Sequence, residues 1–196
     1  MSAGIWLWAY LQAALLLTSA LCLLPVQAGR GRTLGAVSAG LLLPLLPLDS
    51  VHLAGLLYGH SGALSLPGLA LLAAFSVRRL GGPDLLPPTQ RRGWRLGLVL
   101  LALALYPMAL GLGTLDSYAM GYGDPALPIA VAVMAALLWF RGIRTSALLL
   151  LAVLWCWLLG LGESHNLWDY LLDVWTMLAA LLIQSRKFIA GRRRAN

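Results

Sequence analysis

The sequence predicts an all-α fold: a polytopic membrane helix bundle of about seven transmembrane helices, N-terminus outside and C-terminus cytoplasmic. Three observations predict it. Of the residues, 60% are hydrophobic and only 11% charged, where a soluble domain has about a quarter charged. The apolar residues gather in blocks of about 15 to 22, the length that crosses a hydrocarbon core of about 30 Å. The charges also sort by side once the blocks are threaded back and forth. All 14 Lys and Arg fall on one face, and the 7 acidic residues, Asp84 excepted, fall with the three histidines on the other. Loops rich in Arg and Lys stay cytoplasmic, which sets the orientation. Residues 1–196 therefore read as a single integral membrane domain.

The first segment runs from about Ile5 to Leu24. Val26-Gln27-Ala28 offers the small residues of a signal-peptide cleavage site, but the opening residues lack the Lys or Arg such a peptide starts with. It reads as a transmembrane helix. Arg30 and Arg32 follow, inside. Segment two, about Leu34 to Leu48, is interrupted by Pro44 and Pro47, and an interior proline removes a helix hydrogen bond. Residues 49–65 lie outside, at the interface or dipping back in. Segment three, about Leu66 to Val77, leads into the basic loop Arg78–Arg95, broken by Gly81-Gly82, Pro83, Pro87 and Pro88.

Segment four spans about Leu96 to Leu112, with residues 113–125 outside. Segments five and six, about Leu127 to Phe140 and Ser146 to Leu161, are joined inside at Arg141 and Arg144. A short outer link, residues 162–166, leads to segment seven, about Leu167 to Ser185, and a basic inner tail. Leu48-Asp49-Ser50 echoes Leu115-Asp116-Ser117, Tyr58-Gly59 echoes Tyr122-Gly123, and Leu66-Pro67 echoes Leu127-Pro128. This suggests three repeated outward hairpins.

Net charge +7 resides at helix ends rather than on one patch, so it marks topology and contacts to anionic membrane lipids, and no nucleic acid is expected. Cys22 and Cys156 lie inside apolar segments and read as small fillers, not a disulfide. No cofactor and no metal is expected, since no two histidines have a tight ligand spacing. Haem would need histidines within the helices. Midplane charge is lacking, which argues against an ion-coupled carrier; the helix interiors hold little beyond Gln12, Thr18, Ser19, Ser38 and Thr176.

Candidate chemistry concentrates on the outer rim. His165, Asp169 and Asp173 are spaced four apart and would share one helix face. They are the candidate catalytic residues, with Asn166 as a helix cap. Candidate lipid or partner contacts are Asp49, His52, Tyr58, His60, Asp116, Tyr118, Tyr122, Asp124, Glu163, Trp168 and Tyr170. Outer aromatics also suit an interfacial belt. Gly59-His60-Ser61-Gly62 resembles the Gly-x-Ser-Gly pattern of rhomboid proteases, with His165 as the implied base. Ser61 and His165 nevertheless fall in outer loops rather than in helices, unlike that family.

Two functions follow as expectations. In the first, the chain is a non-catalytic inner-membrane subunit of a bacterial cell. It anchors, stabilises or regulates a larger membrane protein partner, an enzyme of lipid-headgroup or glycan transferase type working at the periplasmic face. In the second, it is itself a small enzyme or binder acting on a lipid headgroup through His165, Asp169 and Asp173.

Overall fold

The computed structural model describes residues 2–24, 29–112 and 116–195. Val26-Gln27-Ala28 and Leu115 lie outside these residues. The fold is all-α in class. Nine α-helices are described: α1 (Ala3–Leu23), α2 (Arg30–Leu42), α3 (Leu53–Ser61), α4 (Leu66–Arg79), α5 (Pro88–Ala109), α6 (Ala126–Phe140), α7 (Arg144–Leu158), α8 (Leu167–Leu171) and α9 (Val174–Ala195).

α1 is the axis of the first half and packs against α2, α3 and α4. Its N-terminus is capped by Ser2, whose hydroxyl accepts from Ile5 N at 3.3 Å. At its other end Arg32 Nη2 donates to Cys22 O at 2.8 Å, neutralising a C-terminal carbonyl. α2 ends in a 3-10 turn, Leu43–Leu45, where Pro44 interrupts the ladder. Pro47-Leu48 then pairs antiparallel with Val51-His52. Asp49 makes the turn at φ 56, a left-handed conformation that Asp tolerates better than most residues. In the second half α6 and α7 form a hairpin, α5 pairs with α9, and α4 joins α7 and α8.

Helix boundaries correct the sequence map at three places. The second half of the basic loop is helix, because Pro87 and Pro88 start α5 eight residues before Leu96; prolines suit a first turn whose N–H groups need no intrahelical partner. Segment seven is two helices, α8 and α9, broken at Leu172-Asp173. α9 continues through the basic tail. The echoed outer stretches also fold differently. The first carries the nine-residue α3, the second only a 3-10 turn, Ala119–Gly121.

Among the described residues, α1 is the one helix long and apolar enough to cross a membrane by length and composition. Gly31–Leu45, Ala126–Phe140 and Arg144–Leu158 are shorter apolar helices. The 15 residues of α6 or α7 rise about 22 Å, against about 30 Å of hydrocarbon.

The interior holds small and large apolar side chains together. Ala9, Ala13, Ala74 and Ala147 are at most 2% exposed, as are Leu98 and Val153. Leu100, Leu103, Phe140 and Trp155 are each more than 60% exposed. The larger buried side chains, including Trp8, Val153, Leu167 and Tyr170, cluster toward the ends of α1 and α7 that meet α8.

Candidate functional site

The non-helical linker 62–65 between α3 and α4 organises the site. Its backbone groups have no helix to pair with, and burying them unpaired costs free energy. Side chains from α1, from α9 and from the break before α9 supply the partners. From α1, Gln12 Nε2 donates to Gly62 O at 2.8 Å and Gln12 Oε1 accepts from Leu64 N at 2.8 Å. Trp8 Nε1 donates to Leu64 O at 3.1 Å. From α9, Trp175 Nε1 donates to Ser61 O at 2.9 Å.

Asp173 completes the set. Its Oδ2 accepts from Ser65 N at 2.9 Å and from the Ser65 hydroxyl at 2.6 Å. Its Oδ1 accepts from Thr176 N at 2.7 Å, in the first turn of α9. Ser65 in turn caps α4 by accepting from Gly68 N. One buried carboxylate thus faces two helix N-termini, whose dipoles and free N–H groups favour negative charge. Gly68 permits this approach, since a Cβ there would lie 2.2 Å from Thr176 Oγ1 and 2.9 Å from Asp173 Oδ2.

Above this joint lies a cavity of about 490 Å³. Tyr106, Tyr118 and Trp175 supply aromatic wall, and Glu163, Asp169 and Asp173 supply acid. The Tyr118 hydroxyl donates to both oxygens of Asp169 at 3.0 Å. The Tyr58 hydroxyl donates to Glu163 Oε2 at 3.2 Å. Burial pushes the Tyr58 phenol up to about 12, helped by the Glu163 carboxylate. Burial first, then Asp169, raises the Tyr118 phenol as well.

Asn166 caps α8, accepting from Trp168 N at 2.9 Å, and its Nδ2 donates to Tyr118 O. Trp168 Nε1 donates to Ser117 O at 2.9 Å. Gly121 admits this contact: a Cβ there would meet Asn166 Oδ1 at 1.7 Å. The Tyr170 hydroxyl accepts from Gly162 N and donates to Ser164 O, while its ring packs edge-on against Trp8.

The remaining candidates hold local structure. Asp116 accepts from Tyr118 N and Ala119 N, and Asp124 from Ala126 N at the start of α6. Tyr122 lies edge-on to Tyr118 and His52 edge-on to Trp6. His60 is exposed in the last turn of α3, and Asp49 is exposed at its turn.

The expected shared face of His165, Asp169 and Asp173 does not form. His165 precedes α8, Asp169 lies within it, and Asp173 follows the break. The His165 side chain is exposed, and only its carbonyl is engaged, accepting from Trp157 Nε1 at 2.9 Å. Ser61, the nucleophile of the rhomboid-like pattern, accepts from Gln12 Nε2 at 2.7 Å and donates to Leu57 O at 2.9 Å, with no histidine among its partners. Among the described residues no three His, Cys, Asp or Glu converge to hold a metal.

Sequence reasoning passed over Gln12 and Ser65. Gln12 is fully buried, and the available signal was a lone amide in an otherwise apolar first helix. Compared with known proteins, the chain matches no family model, no curated protein and no solved structure.

Proposed function

We propose that the chain is a multi-pass protein of the bacterial inner membrane, threaded about seven times with the N-terminus outside, and that it serves as a non-catalytic subunit. The large apolar side chains exposed along the helices support the membrane setting. Large exposed apolar side chains would drive aggregation in water, whereas in lipid they cost nothing, and small residues let helices approach closely. Helices of about 22 Å fit by local thinning of the bilayer around them. The three hairpins of the sequence map remain part of this reading.

The observation that carries the subunit reading is the commitment of the outer acids. Asp173 accepts three hydrogen bonds, two of them from backbone N–H groups at helix starts, and Asp169 and Glu163 each hold a tyrosine hydroxyl. A general acid or base must instead reach a substrate proton. The outer end is accordingly a rigid platform, and its role is to hold a larger enzyme of lipid-headgroup or glycan transferase type at the periplasmic face. Trp6 and Tyr122, 39% and 59% exposed there, are the anchors of the kind favoured at such interfaces.

The test is purification in mild detergent with the tagged full chain. A second chain at fixed stoichiometry is expected, lost with Trp6→Ala plus Tyr122→Ala, while Asp169→Asn leaves the activity of the complex intact. Loss of activity in Asp169→Asn with assembly preserved sinks the proposal.

A second reading, a headgroup binder, draws on the 490 Å³ cavity. Acid among aromatic faces suits a cationic ammonium headgroup, with Asp169 and Asp173 on its wall and His165 playing no part. Retention of phosphatidylethanolamine that falls in Tyr106→Leu would favour it.

A further inference from the structure

A second cavity, of about 570 Å³, shares Trp175 with the acidic one and is lined from α1, α4, α5 and α9. Its walls are apolar, formed by Leu72, Phe75 and Ile183 among others. At one end it meets Thr176 and Gly68, beside the Asp173 joint. At the other end Arg78, Arg91, Arg95 and Lys187 converge from three different helices.

Among the described residues, Arg78, Arg95 and Lys187 have no carboxylate partner. Among the described residues the one ion pair is Arg91 with Asp84, at 2.6 Å. Arg91 and Arg95 are one helical turn apart and repel each other. Arg95 Nε is buried and has no hydrogen-bond partner among the described residues. Cationic side chains near a membrane surface ordinarily extend their heads to water. Arg95 nevertheless lines the groove together with Arg78 and Lys187. The groove runs along α9 from Thr176 to Lys187, eleven residues or about 16 Å. Half of a hydrocarbon core is about 15 Å.

We infer that this groove binds one anionic diacyl phospholipid of the cytoplasmic leaflet, its phosphate held by Arg78, Arg95 and Lys187 and an acyl chain laid along Leu72, Phe75 and Ile183. Charge at one end and apolar walls for the depth of one leaflet together specify such a molecule. The inference rests on the membrane placement proposed above and is independent of the partner.

The test uses the full chain in nanodiscs of equal parts phosphatidylglycerol and phosphatidylethanolamine. Lipid retained after mild detergent extraction is measured by mass spectrometry. Phosphatidylglycerol is expected to be retained in preference, and raised salt to weaken that preference. A cation near an anionic surface contributes roughly fivefold in affinity, so the triple variant Arg78→Gln, Arg95→Gln, Lys187→Gln should lose on the order of a hundredfold. Leu72→Trp fills the groove and should lower retention with every charge in place, whereas Arg95→Lys should keep the preference. Equal retention of the two lipids, or a preference insensitive to salt and to Leu72→Trp, overturns the inference. Failure of the placement is read separately. Gln90→Cys, in a Cys22→Ala, Cys156→Ala background, would then be labelled from the periplasm in intact cells. Labelling from the cytoplasm without lipid preference removes the groove proposal alone.

Discussion

The two ends of the bundle treat their polar groups in opposite ways. At the linker 62–65, Gln12, Trp8 and Asp173 answer Gly62 O, Leu64 N, Leu64 O and Ser65 N, and Trp175 answers Ser61 O at the end of α3. At the groove between α4, α5 and α9, cations converge, and among the described residues Asp84 is the one carboxylate paired with them. The first end is finished without a ligand. The second is not. Polar groups that are satisfied internally hold a fold together, while those left unmet in a buried place point to something from outside. Mutation should therefore damage stability at the first end and ligand retention at the second.

The largest stability effect is expected at Asp173. Asp173→Ala strands Ser65 N, the Ser65 hydroxyl and Thr176 N, and removes the charge between two helix N-termini. Charge-assisted bonds of this kind contribute about 1.5 to 3 kcal/mol each, not fully additively, so a loss of about 3 to 5 kcal/mol is expected. Denaturant unfolding in detergent, followed by tryptophan fluorescence, measures it. A loss below about 1 kcal/mol would mean the joint is not what holds α4 to α9. Gln12→Leu comes next. It keeps volume and removes the amide, leaving Leu64 N unpaired and Gly62 O with the Ser61 hydroxyl alone, for about 1 to 3 kcal/mol. If Gln12→Leu is neutral, the linker finds other partners and the contrast between the two ends weakens.

Helical class and most helix positions were legible in the sequence because blocks of Leu and Ala between prolines and arginines leave few alternatives. α6 and α7 start within two residues of the expected places. The break at Leu172-Asp173 was not legible, since an apolar run with the pattern Leu-Leu-Asp-Val-Trp gives no glycine or proline to announce it. Asp173 ends one helix by capping the next, and its partner Ser65 is 108 residues away. The same distance hides the roles of Gln12 and Ser65. Their partners are backbone groups of a linker whose non-helical state is known only once α3 is seen to end at Ser61. The spacing of His165, Asp169 and Asp173 misled for the same reason: a period of four places side chains on one face only where the helix is continuous.

A pH titration sharpens the comparison at lower amplitude. The Tyr58 phenol ionises near 10 in the unfolded chain and near 12 in the folded one. Below pH 10 both states keep the proton and the contribution of Tyr58 is fully present. From there toward 12 the unfolded state releases its proton first, so stability falls as pH rises. Tyr118 acts in the same direction. Unfolding midpoints measured across this range should decline for the wild type and decline less for Tyr58→Phe, with phenolate absorbance rising late in the folded protein. A Tyr58 phenolate that appears near pH 10 in the folded state would show that Glu163 does not hold it.

The smallest effect is expected at His165, and it tests whether the outer end is an enzyme that works through this imidazole. Its side chain is exposed, and the bond it contributes, from Trp157 Nε1 to the carbonyl, survives any substitution that keeps the backbone. His165→Ala should therefore change stability by less than about 0.5 kcal/mol, the usual range for a surface position. It should also leave assembly and the activity of any complex unchanged. Were His165→Ala to abolish activity while the complex still assembled, the imidazole would be reaching a substrate. The outer end would then be a working site rather than a platform.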